Sequence, residues 1–323
     1  PLNPMAAAML TWIFFLYFSK SYLVMKLFPL VGWVNNMLFV IEEIEGRLLM
    51  IPSSIKLDQY SIPIQGSTGA LIVGKPGFGK SVLVSYLMLQ LMSIGAFSLI
   101  FDTKRSDFFS LRYVFHDTFS IENSVTSTKS VEKGQICSTP GQVAKLLRQL
   151  TELMNQRYEH HQAHWGWDWI NYKLRPIVVV FDEFSATLSE ADKKTANEII
   201  NYLKQIIFKG RQMGGIYLIL ASQRLTADVL ERNISSEFST RIGMQNLDRV
   251  SLSLAFPGCD LNEIPVVENI PGHGLIYNDL FNTLIPQPFI APDMSHVNVP
   301  KVFKHLIVRN DVNNFTCEDY WPW

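Results

Sequence analysis

Gly74-Lys75-Pro76-Gly77-Phe78-Gly79-Lys80-Ser81 is the stretch on which the reading of this 323-residue chain turns. It fits the pattern GxxxxGK[ST] at every position. A short apolar segment, residues 70–73, runs straight into it, and residues 80–94 leave it with helical length and composition, ending at Gly95. The glycines allow backbone angles that turn successive N–H groups inward on phosphate oxygens, and the positive end of the following helix adds to that anion site. The pattern predicts a triphosphate site in which residues 74–82, Val82 included, wrap the phosphates. Lys80 would bridge the β- and γ-phosphates as a point charge, and the Ser81 hydroxyl would ligate Mg²⁺. A glycine-rich turn that binds nothing fits less well, because pattern and context are both satisfied.

About 100 residues on, Ile177-Val178-Val179-Val180-Phe181-Asp182-Glu183 is an apolar strand whose end carries two carboxylates. Asp182 is read as holding Mg²⁺, directly or through a water, and Glu183 as the base that polarises the attacking water. Hydrolysis of ATP, rather than mere binding, rests on Glu183. A third strand, residues 216–221, ends in Ser222-Gln223-Arg224, and Gln223 is the candidate for sensing the γ-phosphate, being neutral and able to donate. Short, wholly apolar strands alternating with helices imply an α/β fold of the P-loop NTPase, RecA-like kind: a mostly parallel sheet with helices on both faces.

Around these anchors the rest of the chain is ordered as follows. Residues 42–69 alternate short apolar pieces with turn formers and read as a β-rich lead-in. Residues 97–101 are a buried strand, 117–134 a Ser/Thr-rich loop, and Pro140 opens a helix with apolar residues at i, i+3, i+4 and i+7 spacing. Residues 189–208 read as one helix, 274–277 and 283–285 as late strands, and 293–323 as a polar, irregular tail. His160 and His164 are four apart, with Asp168 beyond, but Gly166 and the crowd of tryptophans favour a loop or subunit contact over a metal site.

Lys and Arg together number 28 against 29 acidic residues, so no global field draws in a polyanion, and any such partner must be held by a local patch. Cys137, Cys259 and Cys317 lie far apart without CxxC spacing, as expected of reduced thiols in a cytosolic domain. Residues 1–41 are different: 5–18 carry no charge, and the run reaches the roughly 20 residues of a spanning helix if Lys20 snorkels to the headgroups. Lys20 and Lys26 on the far side would leave the following domain in the cytoplasm. The expectation is a membrane-associated segment at the cell membrane; a buried N-terminal helix is the competing reading.

Taken together these motifs resemble the FtsK/SpoIIIE family of DNA-translocating ATPases within the HerA-FtsK group. Phe101-Asp102-Thr103-Lys104-Arg105-Ser106-Asp107 looks like the family's DPK-x-x-D strand end, and Leu153-Met154-Asn155-Gln156-Arg157-Tyr158 like its M-x-x-R-Y helix. Residues 210–224 are similar to its GR-x-x-GIHLI-x-ATQRP block, 239–242 to its PTRI, and Gly272-His273-Gly274 to its late G-x-G strand. The likeness spans residues 66–292, with the ATPase domain placed at 70–292. It implies a ring, usually a homo-hexamer, with a basic residue reaching each nucleotide from the neighbour; Arg211, Arg241 and Arg249 are the candidates. DNA would thread the pore, with Lys104, Arg105 and Arg112 able to face it. Two departures are visible: Leu225 stands where the family has proline, and the spacing around Arg249 is shortened. The segment after the ATPase is too short for the winged-helix module of chromosome-segregating members. The resemblance is then more to the TcpA-like coupling proteins of Gram-positive conjugative elements, with a relaxase and channel proteins as expected partners. A double-stranded DNA pump for partitioning, or a non-motor ATPase gating assembly of a secretion complex, are the alternatives.

Overall fold

The computed structural model describes residues 54–114, 134–223 and 230–309, all within one compact unit, Ile51–Trp323. The apolar segment 1–41, the start of the lead-in, most of the 117–134 loop, Arg224, Leu225 and the last residues lie outside the described part. Among the described residues no helix is long and apolar enough to cross a membrane.

A hairpin of β1 (Ser54–Leu57) and β2 (Tyr60–Pro63) precedes an eight-stranded sheet. The loop of residues 74–79 follows β3 (Gly69–Gly74) and leads into α1 (Lys80–Ser93). Next come β4 (Phe97–Phe101), β5 (Gly134–Cys137), α2 (Pro140–His160) and β6 (Ile177–Phe181). After them lie α3 (Phe184–Glu190), α4 (Lys193–Lys209) and, past a π-helical turn at Gly210–Gly214, β7 (Ile216–Ser222). The chain then forms α5 (Arg232–Ser236), β8 (Thr240–Met244), α6 (Arg249–Ala255), β9 (His273–Asn278), β10 (Gln287–Ile290) and α7 (Val299–Arg309). The sheet order is β10-β9-β8-β3-β7-β6-β4-β5; the strands from β8 to β5 run parallel, and β9 and β10 are antiparallel additions.

Every residue of β3, β4, β6 and β7 is buried, as a parallel sheet covered on both faces requires. Alternate side chains go to opposite faces: Leu71, Leu99, Val179 and Leu218 pack with α2 and α4, whereas Ile72, Ile100, Val180 and Ile219 pack with α1, α7 and the hairpin. The close approach of β3 to β7 depends on Gly69 (φ 134°), where a Cβ would lie 1.9 Å from the Leu218 carbonyl oxygen. β7 separates β3 from β6, so the acid-bearing strand is one removed from the phosphate-loop strand and not beside it.

Other expectations change in detail. The helix read over 189–208 is two, α3 and α4, because the Asp192 carboxylate accepts the Lys194 and Thr195 N–H groups and starts a new N-terminus. Residues 283–285 form no strand: Leu284 is exposed, and the edge strand is β10, where Pro288 is tolerated and Phe289 supplies the buried face. Residues 299–309, read as irregular tail, form α7, which buries Phe303, Leu306 and Ile307. β5 and β8 have no clear strand signal in the sequence, the latter because Arg241 interrupts its apolar run.

Candidate nucleotide site

The site is built where β3, β7, β6 and β4 end. Gly77 (φ 84°) and Gly79 (φ 89°) give the loop its left-handed turns, and nothing lies within 4 Å of where a Gly77 Cβ would stand. The Phe78 carbonyl accepts the Gly272 N–H at 3.1 Å, so the strand that carries the late G-x-G motif braces the loop from outside. Gly74 is pressed on Met244, whose Cβ would be 2.6 Å from an added Cβ. Lys75 and Pro76 are exposed, Ser81 is half-buried, Val82 is exposed at the first turn of α1, and Lys80 is buried.

The pairing Phe101↔Phe181 sets the ends of β4 and β6 level, which places the two acid-bearing segments side by side. The Ser106 hydroxyl sits between the Asp182 carboxylate at 2.7 Å and the Asp102 carboxylate at 3.0 Å. Ser81 Oγ lies 3.5 Å from Asp182 Oδ1. Burial, and then the charge of Asp102 and Glu183, push the Asp182 carboxyl above its ordinary value, against the Ser106 hydrogen bond and Lys80. Asp102 Oδ1 is buried without a hydrogen-bond partner. This crowding of hard oxygens and uncompensated negative charge fits a small divalent cation, which takes one or two carboxylates, a hydroxyl and phosphate oxygens.

Glu183 is 4% exposed and gathers five donors. Its Oε1 accepts from Ser185 Oγ (2.6 Å), the Gln223 N–H (3.0 Å) and Ser222 Oγ (3.1 Å); its Oε2 pairs with Lys80 Nζ (3.1 Å) and Lys104 Nζ (3.4 Å). Burial alone would raise its carboxyl, but the Lys80 ammonium and these hydrogen bonds outweigh it and hold the group below the ordinary glutamate value. Lys80 has the opposite balance: desolvation outweighs the pull of Glu183 and Asp182 and lowers its ammonium.

The structure thus brings together Lys80, Ser81, Asp182, Glu183 and Gln223, the last presenting its backbone N–H to Glu183. Four residues at this site were missed or misplaced by sequence reasoning. Lys104, expected to be able to face a pore, is turned onto Glu183, Ser106 links the aspartates, and Ser185 and Ser222 hold Glu183. The signal was present in the Asp-Thr-Lys and Asp-Glu strand ends, but their adjacency is a property of the sheet. Arg105 and Arg112 sit over the Phe109 ring, the latter 3.9 Å from its centroid.

The arginines separate. Arg241 is 5% exposed, ion-paired with Asp279, 4.5 Å over the Tyr277 ring and bonded to the Ser236 carbonyl. Spent on its own protomer, it is withdrawn as a catalytic residue reaching a neighbour. Arg249 lies at the start of α6, bonded to Asn262 Oδ1 at 3.2 Å. Arg211 is exposed on the π-helical turn before β7, at the sheet rim opposite the phosphate loop. That turn is clamped: buried Arg157 donates to the Gly214 and Arg175 carbonyls and the Tyr158 hydroxyl to the Lys209 carbonyl, which gives the M-x-x-R-Y helix a structural purpose. α2 ends at His160, with His161 extended, so His160 and His164 do not share a helical face.

Comparison with known proteins agrees with this picture. The family model described as "ATPase family associated with various cellular activities (AAA)" matches residues 70–246. The FtsK domain-containing protein YdcQ of Bacillus subtilis (strain 168) is 27% identical over 189 residues, 58% of this chain and 36% of that protein. The chain therefore spans about a third of that relative's length. The pCW3 conjugation coupling protein TcpA, in its monomer form with ATPγS, superposes with a TM-score of 0.61 at 20% identity, over 78% of this chain and 70% of that one. The cytoplasmic domain of the Thermomonospora curvata type VII secretion ATPase EccC gives 0.54 at 20% identity, over 78% and 30%. At these identities the two structures speak for the fold. With its family model matched over more than half its length, the chain belongs to the ATPase family associated with various cellular activities (AAA), as an ATPase that within that group resembles the FtsK/SpoIIIE type.

Proposed function

We propose that this ATPase works as a ring, most simply a homo-hexamer, that moves DNA, and that it serves as the coupling protein feeding DNA into a conjugative transfer channel, tethered at the cell membrane with the ATPase domain in the cytoplasm. The observation that carries the reading is the convergence of the phosphate loop with the Asp102, Asp182-Glu183 and Gln223 strand ends of the FtsK-like motif set on one rim of the sheet, in a chain similar to an FtsK domain-containing protein and folded like a conjugation coupling protein. Residues 74–82 would hold the triphosphate of ATP, with Ser81 and Asp182 on Mg²⁺. Bound Mg²⁺ would neutralise charge on the transferring phosphoryl group. Lys80 would leave Glu183 for the phosphates, which frees Oε2 to polarise water while Ser185, Ser222 and the Gln223 N–H keep the carboxylate aimed. Lys104 would remain as its counter-charge, and the Gln223 side chain would sense the γ-phosphate. Arg211, exposed and clamped at the opposite rim, is the residue that suits a contribution to the neighbour's site.

ATP turnover by the full chain with and without DNA tests this. Single- or double-stranded DNA is expected to stimulate it, single-stranded for a conjugation motor and double-stranded for a partitioning pump. Glu183→Gln should bind ATP and lose turnover by about a thousandfold. An assembled ring indifferent to DNA would sink the motor reading. It would favour the second reading, a secretion-complex ATPase, which the likeness to the type VII secretion ATPase supports.

A further inference from the structure

Two ammonium groups meet on one oxygen of Glu183, and they arrive from different parts of the molecule. Lys80 Nζ lies 3.1 Å from Oε2 and Lys104 Nζ 3.4 Å from it. Lys80 opens α1 at the end of the phosphate loop, where its task is to hold the triphosphate. Lys104 belongs to the tight turn after β4, which the Arg105 N–H closes by donating to the Asp102 carbonyl at 3.2 Å.

That turn is built onto the support of Glu183 itself. The Asp182 N–H donates to the Phe101 carbonyl at 3.1 Å, which fixes the end of β6 on the end of β4. In α3 the Thr187 hydroxyl donates to the Glu183 carbonyl at 3.3 Å, and it is met at 3.2 Å by the hydroxyl of buried Thr103, the neighbour of Lys104. Asp102 Oδ2 accepts the Ser106 hydroxyl and the Phe109 N–H, each at 3.0 Å, and so closes the far side of the turn. Lys104 is thus carried by the same frame as the carboxylate it touches, and Lys80 is not.

A carboxylate offers about four lone-pair positions. Oε1 is met by Ser185, Ser222 and the Gln223 N–H, and Oε2 by the two ammonium groups. Withdrawal of Lys80 to the phosphates empties a position on Oε2, and a water can be received there. If Lys104 left as well, a carboxylate that is 4% exposed would have lost both ammonium partners, and Oε2 the contact that fixes its direction.

We propose that Lys104 is a positioning residue for hydrolysis: it stays on Glu183 Oε2 when ATP draws Lys80 away, so that nucleotide binding itself opens the base to water in a fixed orientation. The water gives its proton to Oε2 as its oxygen bonds to the γ-phosphorus and ADP leaves; Lys104 makes and breaks no bond. The proposal rests on the reading of Glu183 as the base and gives Lys104 no contact with ATP.

Single-turnover hydrolysis of radiolabelled ATP by the full chain with Mg²⁺, alongside calorimetric titration with ATPγS, tests it. Lys104→Met should slow hydrolysis about a hundredfold, the loss expected when a reacting group is held about 1 Å out of place. Its melting temperature and ATPγS affinity should stay at wild-type values, because the side chain is 38% exposed and the loss falls on the chemical step alone. Lys104→Arg should recover hydrolysis to within about tenfold of wild type, since it keeps the charge and has the reach. In a Glu183→Gln background Lys104→Met should cost nothing further, because it acts only through that carboxylate. Wild-type hydrolysis by Lys104→Met overturns the proposal. So does an additive loss in the double variant or a fall in ATPγS affinity, either of which would place the lysine on the nucleotide. A defect that appears only when DNA is added overturns it too, and gives the lysine to the nucleic acid. Normal hydrolysis by Glu183→Gln alone is a separate failure: it removes the base on which the proposal stands, and the proposal with it.

Discussion

Asp182 is the residue at which stability and chemistry pull apart most clearly. Its carboxyl is raised above the ordinary aspartate value by burial first and by Asp102 and Glu183 after it. A folded value above the unfolded one means that the ionised group costs stability. That cost is absent below the ordinary aspartate range, grows as pH rises through the folded value and is complete above it. Asp182→Asn should therefore melt a few degrees higher than wild type at neutral pH without nucleotide, and the gap should close as pH falls below the aspartate range. Turnover should fall by about a hundredfold or more. Melting curves across pH, with ATP assays alongside, check both; a variant less stable than wild type at neutral pH would refute the account. At this scale the phosphate loop and the acid pair were legible because each motif is contiguous. Lys104, Ser106 and Ser222 were not, because they reach the site only through the β4–β6–β7 neighbourhood. Arg241 misled for the converse reason: its motif match says nothing of Asp279, 38 residues away.

Among the elements, α2 shows how one helix can secure a distant turn. Arg157, 3% exposed, is planted on the Gly214 and Arg175 carbonyls, and Gly215 (φ 61°) must be glycine because a Cβ there would meet Arg157 Nη1 and Trp169 at 3.1 Å. Arg157→Met would leave both carbonyls unsatisfied and should cost about 2–4 kcal/mol in urea unfolding. Arg157→Lys should fare little better, since a point charge cannot reproduce the fork. A loss under about 0.5 kcal/mol in either variant would show that the turn holds itself. Fully buried strands such as β6, and β7 up to Ala221, announce themselves as unbroken apolar runs. β8 carries Thr240 and Arg241 inside its span and β5 is four residues at an edge, so neither offers that run. The α3–α4 break depends on a single cap at Asp192 inside a stretch of good helical composition.

At the scale of the whole molecule, α7 closes the face formed by α1 and the hairpin. Phe303 is fully buried there, so Phe303→Ala should cost about 3–5 kcal/mol in urea unfolding, and a loss below about 1 kcal/mol would mean that α7 is only loosely seated. Its apolar residues Val302, Phe303, Leu306 and Ile307 have helical spacing, but the stretch lies beyond the motifs that anchor the rest of the fold. The layout of the sheet has a further mechanical meaning. β7 is a bar of seven buried residues, roughly 20 Å long, with the Ser222 and Gln223 grip on Glu183 at one tip and the turn that bears Arg211 at the other. A rearrangement around Glu183 would therefore be carried to the far edge of the sheet through one strand seated in the core on both faces, with no dedicated relay part between the two ends.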